Sequence, residues 1–284
     1  LKNAGKDNFL DKEIIAYSIL LLCDLKNFYS KNLSPSVARM QVVGALPQAT
    51  ITSSLASLNQ AWKARKVELP TEKLTSPAMQ AQVFFVDVPD AKQSVLRIGY
   101  PALAATDKNY YAATVMNYIL GGGGFASRLT QQLREGKGYT YGINSSFSGS
   151  RDTGVFTIAS GVRSNVTLES AQLVKQILAE YGATYTEQDL ATTKGFLIKS
   201  NARAFETAGA KLGMLENISK YGWKASYVKD REQIVKAMSM DQIKNLSQKY
   251  LDPNKMFWLV VGDAKTQLAR MKELGFGEPV LLGK

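Results

Sequence analysis

The feature that most constrains this chain is a repeat inside it. Displacing the sequence against itself by 218 positions sets KNFYSKNLSPSVARMQVVG (26–44) on KNLSQKYLDPNKMFWLVVG (244–262) without a gap. Eight of the nineteen pairs are identical: Lys26/Lys244, Asn27/Asn245, Lys31/Lys249, Leu33/Leu251, Pro35/Pro253, Val42/Val260, Val43/Val261 and Gly44/Gly262. Chance would give about one. Each copy predicts a helix stopped by an x-Pro turn, then an apolar strand ending in glycine, then another helix. A single repeat at this spacing indicates a duplicated domain, not a solenoid. Only some 25 residues precede the first copy, whereas a long domain starting near residue 80 precedes the second, so roughly 140 residues of the first copy are expected to lie outside this chain. Residues 1–62 are therefore read as the C-terminal part of a first repeat. Residues 63–79, charged and with two prolines, are read as a linker, and 80–284 as a complete second repeat.

Within the second copy, QVFFVDV (82–88) and SVLRIGY (94–100) predict consecutive strands separated by a PDAKQ turn. Tyr111, Val115, Tyr118 and Ile119 have helical spacing that ends at the cluster Gly121 to Gly124. A second helix follows, with Phe125, Leu129 and Leu133 on one face. From Tyr139 the period drops to two. Tyr139, Tyr141, Ile143 and Phe147 alternate with Thr140, Gly142, Asn144 and Ser146, and GVFTIAS (154–160) supplies a partner strand. The remainder, from about 165 to 250, is mostly helical, with TEQD (186–189) placed as a capping box. Hairpin-like strand pairs with segregated helices imply an α+β fold, an antiparallel-rich sheet covered by helices.

Composition removes many chemistries. The 284 residues contain no histidine, which excludes histidine-based zinc motifs, Ser-His-Asp and Cys-His nucleophile systems and histidine general bases. The single cysteine, Cys23, cannot form an internal disulfide or a multi-thiolate site, and its apolar neighbours predict a buried small hydrophobe. The formal charge of +11 is dispersed along the chain, densest at KARK (63–66), without the interleaved aromatics of a single-strand binder. A solvated basic surface, not a nucleic-acid interface, is expected. The longest apolar run, IIAYSILLLC (14–23), is half the length of a membrane span. Compartment stays open, with a lean to the bacterial periplasm or cell envelope.

The stretch LGGGGFASRLTQQLREGKGYTYG (120–142) carries the candidate site. One glycine suffices to stop a helix; four suggest close backbone approach or a mobile loop. A phosphate cradle is disfavoured because the run follows a helix and lacks the GK[ST] ending. Taken singly, both tyrosines read as core packing on the apolar side of a strand, and Arg134 as a solvated residue near a helix end.

Together these residues closely resemble the second, non-zinc half of the pitrilysin/insulinase family of zinc metallopeptidases, in particular the shorter bacterial members and the mitochondrial processing peptidase subunits. PDAKQSVLRIGYPAL (89–103), AFETAGAKLGML (204–215) and YLDPNKMFWLVVGD (250–263) extend the resemblance along nearly the whole chain. It implies a LuxS/metallopeptidase-like layer in each of two homologous halves. It also implies that Arg134 and Tyr141 hold the substrate backbone and help polarise the scissile carbonyl, with Tyr139 secondary. Gly121, Gly122, Gly123, Gly124 and Phe125 then correspond to a mobile glycine-rich loop used in substrate handling. The family's HxxEH motif and downstream glutamate are absent, so no metal is assigned to this chain. Zinc is expected in a homologous HxxEH-bearing subunit or in a missing N-terminal domain. The expected ligand is an unfolded peptide bound as an extended strand against the sheet. Alone, the chain is expected to be inactive. The alternative the resemblance allows is a structural subunit of the same architecture, as in the core of respiratory complexes.

Overall fold

The computed structural model describes residues 21–68 and 79–283. They fall in two units, Leu1–Lys73 and Leu74–Lys284. The linker reading of 63–79 and the apolar run 14–23 lie largely outside the described residues.

Among the described residues the first unit contains three helices, α1 (Leu22–Asn32), α2 (Gln48–Ser54) and α3 (Ala56–Ala61). Arg65 ties the end of α1 down by donating from Nη2 to the carbonyl of Tyr29 (2.9 Å), which also accepts from Leu33 N–H, and to that of Leu33 (2.6 Å), just past the helix end. None of the three helices buries a side chain, and Leu22, Leu25, Phe28 and Tyr29 are exposed. Cys23 is exposed too, contrary to the expectation of burial. Apolar neighbours on one helix cannot bury a residue when no second apolar layer, among the described residues, faces them. The strand expected at Met40–Gly44 is likewise not formed. No other extended segment described in this unit offers it a ladder.

The second unit is built on a six-stranded sheet: β1 (Gln82–Asp87), β2 (Gln93–Ala102), β3 (Thr140–Gly149), β4 (Gly154–Arg163), β5 (Phe257–Gly262) and β6 (Val280–Leu282), in the order β3-β4-β2-β5-β1-β6. Three pairs are antiparallel, β2 with β4, β2 with β5, and β3 with β4; β1 runs parallel to β5 and β6. The α+β layer expected from sequence is present. One expectation fails: β1 and β2 do not pair with each other. β5, the strand of the second repeat copy, lies between them, with Phe85 opposite Val260 on one side and Leu96 opposite Val260 on the other. The short connection Val88–Lys92 crosses over the end of β5, where Val88 N–H donates to Gly262 O (2.7 Å) and Ala264 N–H to Asp87 Oδ1 (3.0 Å).

Five helices, α4 (Tyr110–Asn117), α5 (Thr167–Thr184), α6 (Glu187–Arg203), α7 (Ala208–Tyr221) and α8 (Tyr227–Ala237), precede α9 (Met240–Tyr250), and a short α10 (Ala264–Gln267) follows β5. One face of the sheet, carrying Phe85, Leu96, Ile98, Phe156, Ile158, Trp258 and Val260, is fully covered; α5 contributes Val174, Ile177 and Tyr181 to this core and α9 contributes Ile243. Each such side chain gains about 1.5–3 kcal/mol from leaving water, which fixes the register of the strands. The alternate positions on the other face, among them Val95 and Val155, are exposed. Thr186 begins α6 with the expected capping box: its Oγ1 accepts from Asp189 N–H (3.1 Å) and Asp189 Oδ2 accepts from Thr186 N–H (2.9 Å).

Candidate functional site

The glycine run does not simply stop α4. The helix widens into a π-helical turn, Tyr118–Gly122, closed by Gly123 N–H donating to Tyr118 O (2.7 Å), and then tightens into a 3-10 turn, Gly124–Ala126. Each glycine is used differently. A Cβ on Gly121 would stand 2.6 Å from Ser145 N, so only a bare backbone can lie this close to β3. A Cβ on Gly123 would stand 2.8 Å from Tyr118 O. Gly124 has open space but a φ of 57°, the left-handed region. The approach to β3 is stapled by Asn117, whose Nδ2 donates to Ser145 O (2.8 Å) while its Oδ1 accepts from Ser145 Oγ (2.5 Å). Of the two expectations, close approach is what the geometry displays.

Phe125 differs from its expected place on the buried face of the next helix. It sits in the 3-10 turn, 61% exposed, whereas Leu129 and Leu133 are fully buried. The change of helical pitch at Gly124–Ala126 breaks the i, i+4 spacing that would have aligned it with Leu129.

Arg134 lies in a second π-helical segment, Thr130–Gly136, where Leu133 before it is buried and Arg134 itself is exposed. Its guanidinium packs over the Phe125 ring, 4.7 Å from the centroid, and its Nε lies 3.2 Å from Glu135 Oε1. Lys137 and Gly138 then reverse the chain. Gly138, at φ 61°, donates to Arg134 O (3.0 Å) and Tyr139 N–H donates to Leu133 O (2.9 Å), so β3 leaves this segment directly.

The tyrosines depart from the simple alternation. Thr140 pairs with Val162 and Ile143 with Ser160, which gives β3 one residue more than β4 between the same two rungs. This is a β-bulge, and an extra residue moves everything on one side of it to the opposite face. Thr140, Ile143, Ser145 and Phe147 consequently point into the core, while Tyr141 is 88% exposed and Tyr139 half-buried. The bulge is held from within: Thr140 Oγ1 donates to Gly161 O (2.6 Å) and accepts from Gly142 N–H (3.0 Å) and Ser160 Oγ (3.0 Å). Sequence reasoning missed Thr140, Ser160, Asn117 and Ser145. Their signal was available as polar side chains standing at core positions of otherwise apolar patterns, where buried polar groups must find partners.

β3 is a terminal strand, yet its backbone is already occupied. The carbonyls of Ile143, Ser145 and Phe147 accept from Thr130 Oγ1 (3.3 Å), Asn117 Nδ2 (2.8 Å) and Tyr110 OH (3.1 Å). Alternate residues of a strand send their backbone groups to one side, so these three caps blunt that edge against another strand. An extended peptide added there would have to displace them. Tyr141 projects from the exposed face of the sheet, away from these caps.

Arg134, Tyr141 and the glycine turn are brought onto one supersecondary unit, the π-helical segment and the strand it feeds. A well-formed cavity of this unit lies elsewhere, bounded by residues such as Asn201, Met214 and Arg231. No group of three His, Cys, Asp or Glu among the described residues is arranged to hold a metal ion, and the chain has no histidine, so the residues present do not fit a zinc centre. No helix among the described residues is long and apolar enough to cross a membrane.

Residues 22–197 match the family described as the peptidase M16 inactive domain. A Streptomyces coelicolor protein described as an uncharacterized zinc protease is 32% identical over 127 residues, 44% of this chain and 27% of that protein. A Helicobacter pylori protein described as the non-peptidase homolog YmxG is 28% identical over 183 residues, 62% of this chain and 41% of that protein. The crystal structure of a peptidase M16 inactive domain from Pseudomonas fluorescens is similar with a TM-score of 0.77 and 26% identity, covering 86% of this chain and 58% of that one. The chain spans less than half the length of the curated relatives it matches. The family match takes in more than half of this chain, from α1 into α6, and the pitrilysin-like α+β layer agrees with it. The chain thus belongs to the peptidase M16 family of pitrilysin-like metallopeptidases, in the region described as its inactive domain.

Proposed function

We propose that this chain is the substrate-holding, non-zinc portion of a pitrilysin-like peptidase. Arg134 and Tyr141 grip an extended peptide, and the zinc centre is supplied by an HxxEH-bearing homologous subunit or by another region of the same protein. The observation that carries the reading is the state of Tyr141. The bulge places a phenol 88% exposed on the open face of the sheet, and among the described residues its hydroxyl has no hydrogen-bond partner. A large side chain held outward in this way on a fixed strand is poor packing and good recognition. Chemically, the phenol donates one hydrogen bond to a developing oxyanion, while a guanidinium offers several fixed donors to peptide carbonyls. The glycine turn and Phe125 set the position of Arg134. Because the β3 edge is capped by side chains, the peptide is held over the sheet face through side chains and not as an added strand. Tyr139, half-buried at the foot of the bulge, supports Tyr141.

The test is reconstitution with an HxxEH-bearing subunit and turnover of a quenched peptide. Arg134→Ala and Tyr141→Phe should each lower turnover on the order of 100-fold with zinc content unchanged. Normal turnover in both variants would remove the assigned roles.

A structural subunit is the second reading. The description of the Helicobacter pylori relative as a non-peptidase homolog favours it. Reconstitution separates the two, since a purely structural chain would assemble without restoring turnover.

A further inference from the structure

Far along the second unit, α6, α7 and α8 enclose a cavity of about 320 Å³ whose walls include Ile198, Asn201, Met214, Asn217 and Arg231. A neighbouring cavity of about 270 Å³ shares Tyr111, Tyr227 and Arg231 with it. Arg231, on α8, therefore stands in the wall common to both. Its guanidinium carbon lies 4.7 Å, 4.2 Å and 5.0 Å from the ring centroids of Tyr111, Trp223 and Tyr227. The rings are themselves fixed: Trp223 Nε1 donates to Ala105 O (3.2 Å) and Trp223 packs on Tyr221 and Tyr227.

What this arginine lacks is an acceptor. Among the described residues its guanidinium makes no hydrogen bond and no ion pair, and the acids beside it in sequence are engaged elsewhere. Asp230 accepts from Ser226 Oγ (3.0 Å), and Glu232 pairs with Lys236 (2.6 Å). Ring faces satisfy the plane of a guanidinium but not its five in-plane N–H donors. Burial pulls the guanidinium's pKa down from its ordinary value, opposed by the surrounding phenols, yet an arginine stays charged at any physiological pH. The donors are not sealed from solvent, so a ligand carboxylate need displace only water to pair with a guanidinium that the rings already hold in place.

We propose that Arg231 and the larger cavity form a binding site for a carboxylate carried on an apolar body, as presented by the C-terminal end of a peptide with an apolar last residue. The charge count selects the class. Arg231 is the one cationic residue among those described in the wall of the larger cavity, which also includes Glu232, so a single negative charge is matched and a dianionic phosphate is not. Leu197, Ile198, Phe205, Met214 and Val228 supply the apolar wall, and Asn201 and Asn217 supply amides suited to a peptide bond. The planar fork of the guanidinium pairs with a carboxylate through two parallel hydrogen bonds. The site does not depend on the role given to Arg134 and Tyr141.

Isothermal titration of the 284-residue chain tests it, with N-acetyl-Leu-Phe as the free acid, the same dipeptide as its C-terminal amide, octanoate and inorganic phosphate as probes. The free acid should bind at least about tenfold more tightly than the amide, the loss expected for one charge-assisted pair, and phosphate should not bind. Arg231→Gln should erase the preference for acid over amide. Gly213→Leu should block the acid while leaving Arg231 in place: a Cβ at Gly213, a wall residue on α7, meets nothing within 4 Å, so the backbone there admits a side chain directed at the cavity. Thermal melting of each variant checks that it is folded. Tight octanoate binding would assign the carboxylate to a fatty acid, and weak octanoate binding to a peptide terminus; either keeps the site. Equal affinity for acid and amide, unaltered binding to Arg231→Gln or Gly213→Leu, or no heat from either carboxylate at millimolar concentration overturns it.

Discussion

The guanidinium carbon of Arg134 lies 4.7 Å from the centroid of the Phe125 ring, so the residue that opens the glycine-turn exit carries the cation nine positions downstream. A cation–π contact at an exposed site contributes about 0.5–1 kcal/mol, a factor of about 2–5 in an equilibrium constant. Phe125→Ala should therefore reduce turnover of the reconstituted peptidase by about 2–5-fold, far less than Arg134→Ala. Steady-state kinetics on a quenched peptide would show it, and a loss from Phe125→Ala equal to that from Arg134→Ala would mean that the ring itself touches the substrate.

The bulge that exposes Tyr141 rests on one hydroxyl. Thr140→Val leaves Gly142 N–H without its acceptor and Gly161 O without the hydroxyl that donates to it, while Ser160 Oγ can still donate to Gly142 O (3.0 Å), at a cost of about 1–3 kcal/mol. Urea unfolding should show a lowered midpoint with an unchanged slope, and Thr140→Ser should recover most of the loss. A wild-type midpoint for Thr140→Val would mean that the backbone alone sets the bulge.

Two glycines four and one positions before Phe125 should fail for different reasons. Gly121→Ala presses a methyl against the backbone of β3, 2.6 Å from Ser145 N, and overpacking of this kind costs about 1–3 kcal/mol. Gly124→Ala meets open space and costs about 1 kcal/mol through its left-handed φ alone. Thermal melting should rank Gly121→Ala below Gly124→Ala. The reverse order would show that the turn yields more readily than the strand contact implies.

Arg128 and Asp189 set an acid limit on the second unit. Arg128 Nη2 lies 2.8 Å from Asp189 Oδ2, and the same guanidinium donates to Thr184 O (2.6 Å) and covers the Tyr181 ring. Burial raises the Asp189 pKa and is the largest single influence, but the hydrogen bonds from Thr186 and Arg128 together outweigh it and hold the carboxyl below its ordinary value of 3.8. A carboxyl whose pKa is depressed on folding contributes stability that is fully present above its unfolded pKa and is lost as pH falls through the folded one. Stability should thus decline as pH falls below about 4, and Asp189→Asn should flatten that part of the profile while lowering stability at neutral pH. Denaturation midpoints between pH 3 and pH 7 would measure both; an equally steep acid decline in Asp189→Asn would assign it to other carboxylates, such as Asp252, which is also held low.

What was legible in the sequence was local. The repeat located β5 and its closing glycine, period-two spacing located β3 and β4, and the TEQD capping box begins α6 as expected. The errors share a cause. A count of alternate residues assumes one step per residue, so the bulge at Thr140–Ile143 put Tyr139 and Tyr141 on the wrong face. Helical spacing assumes a constant pitch, which the 3-10 turn at Gly124–Ala126 breaks, and Phe125 went with it. Burial assumes a covering layer, which Cys23 does not have among the described residues. Arg231 gave no motif at all, because its cage is assembled from Tyr111, Trp223 and Tyr227 on separate segments of the chain.

Inserting β5 between β1 and β2 has a consequence for synthesis. The two strands that open the second unit cannot hydrogen-bond each other, and the piece that joins them is translated after all the intervening helices. While the nascent chain is still short of Phe257, β1 and β2 present unsatisfied edges to their surroundings. Completion of the sheet awaits Phe257–Gly262, which leaves the ribosome after every helix between β2 and β5, so a premature stop anywhere before Phe257 leaves both edges open.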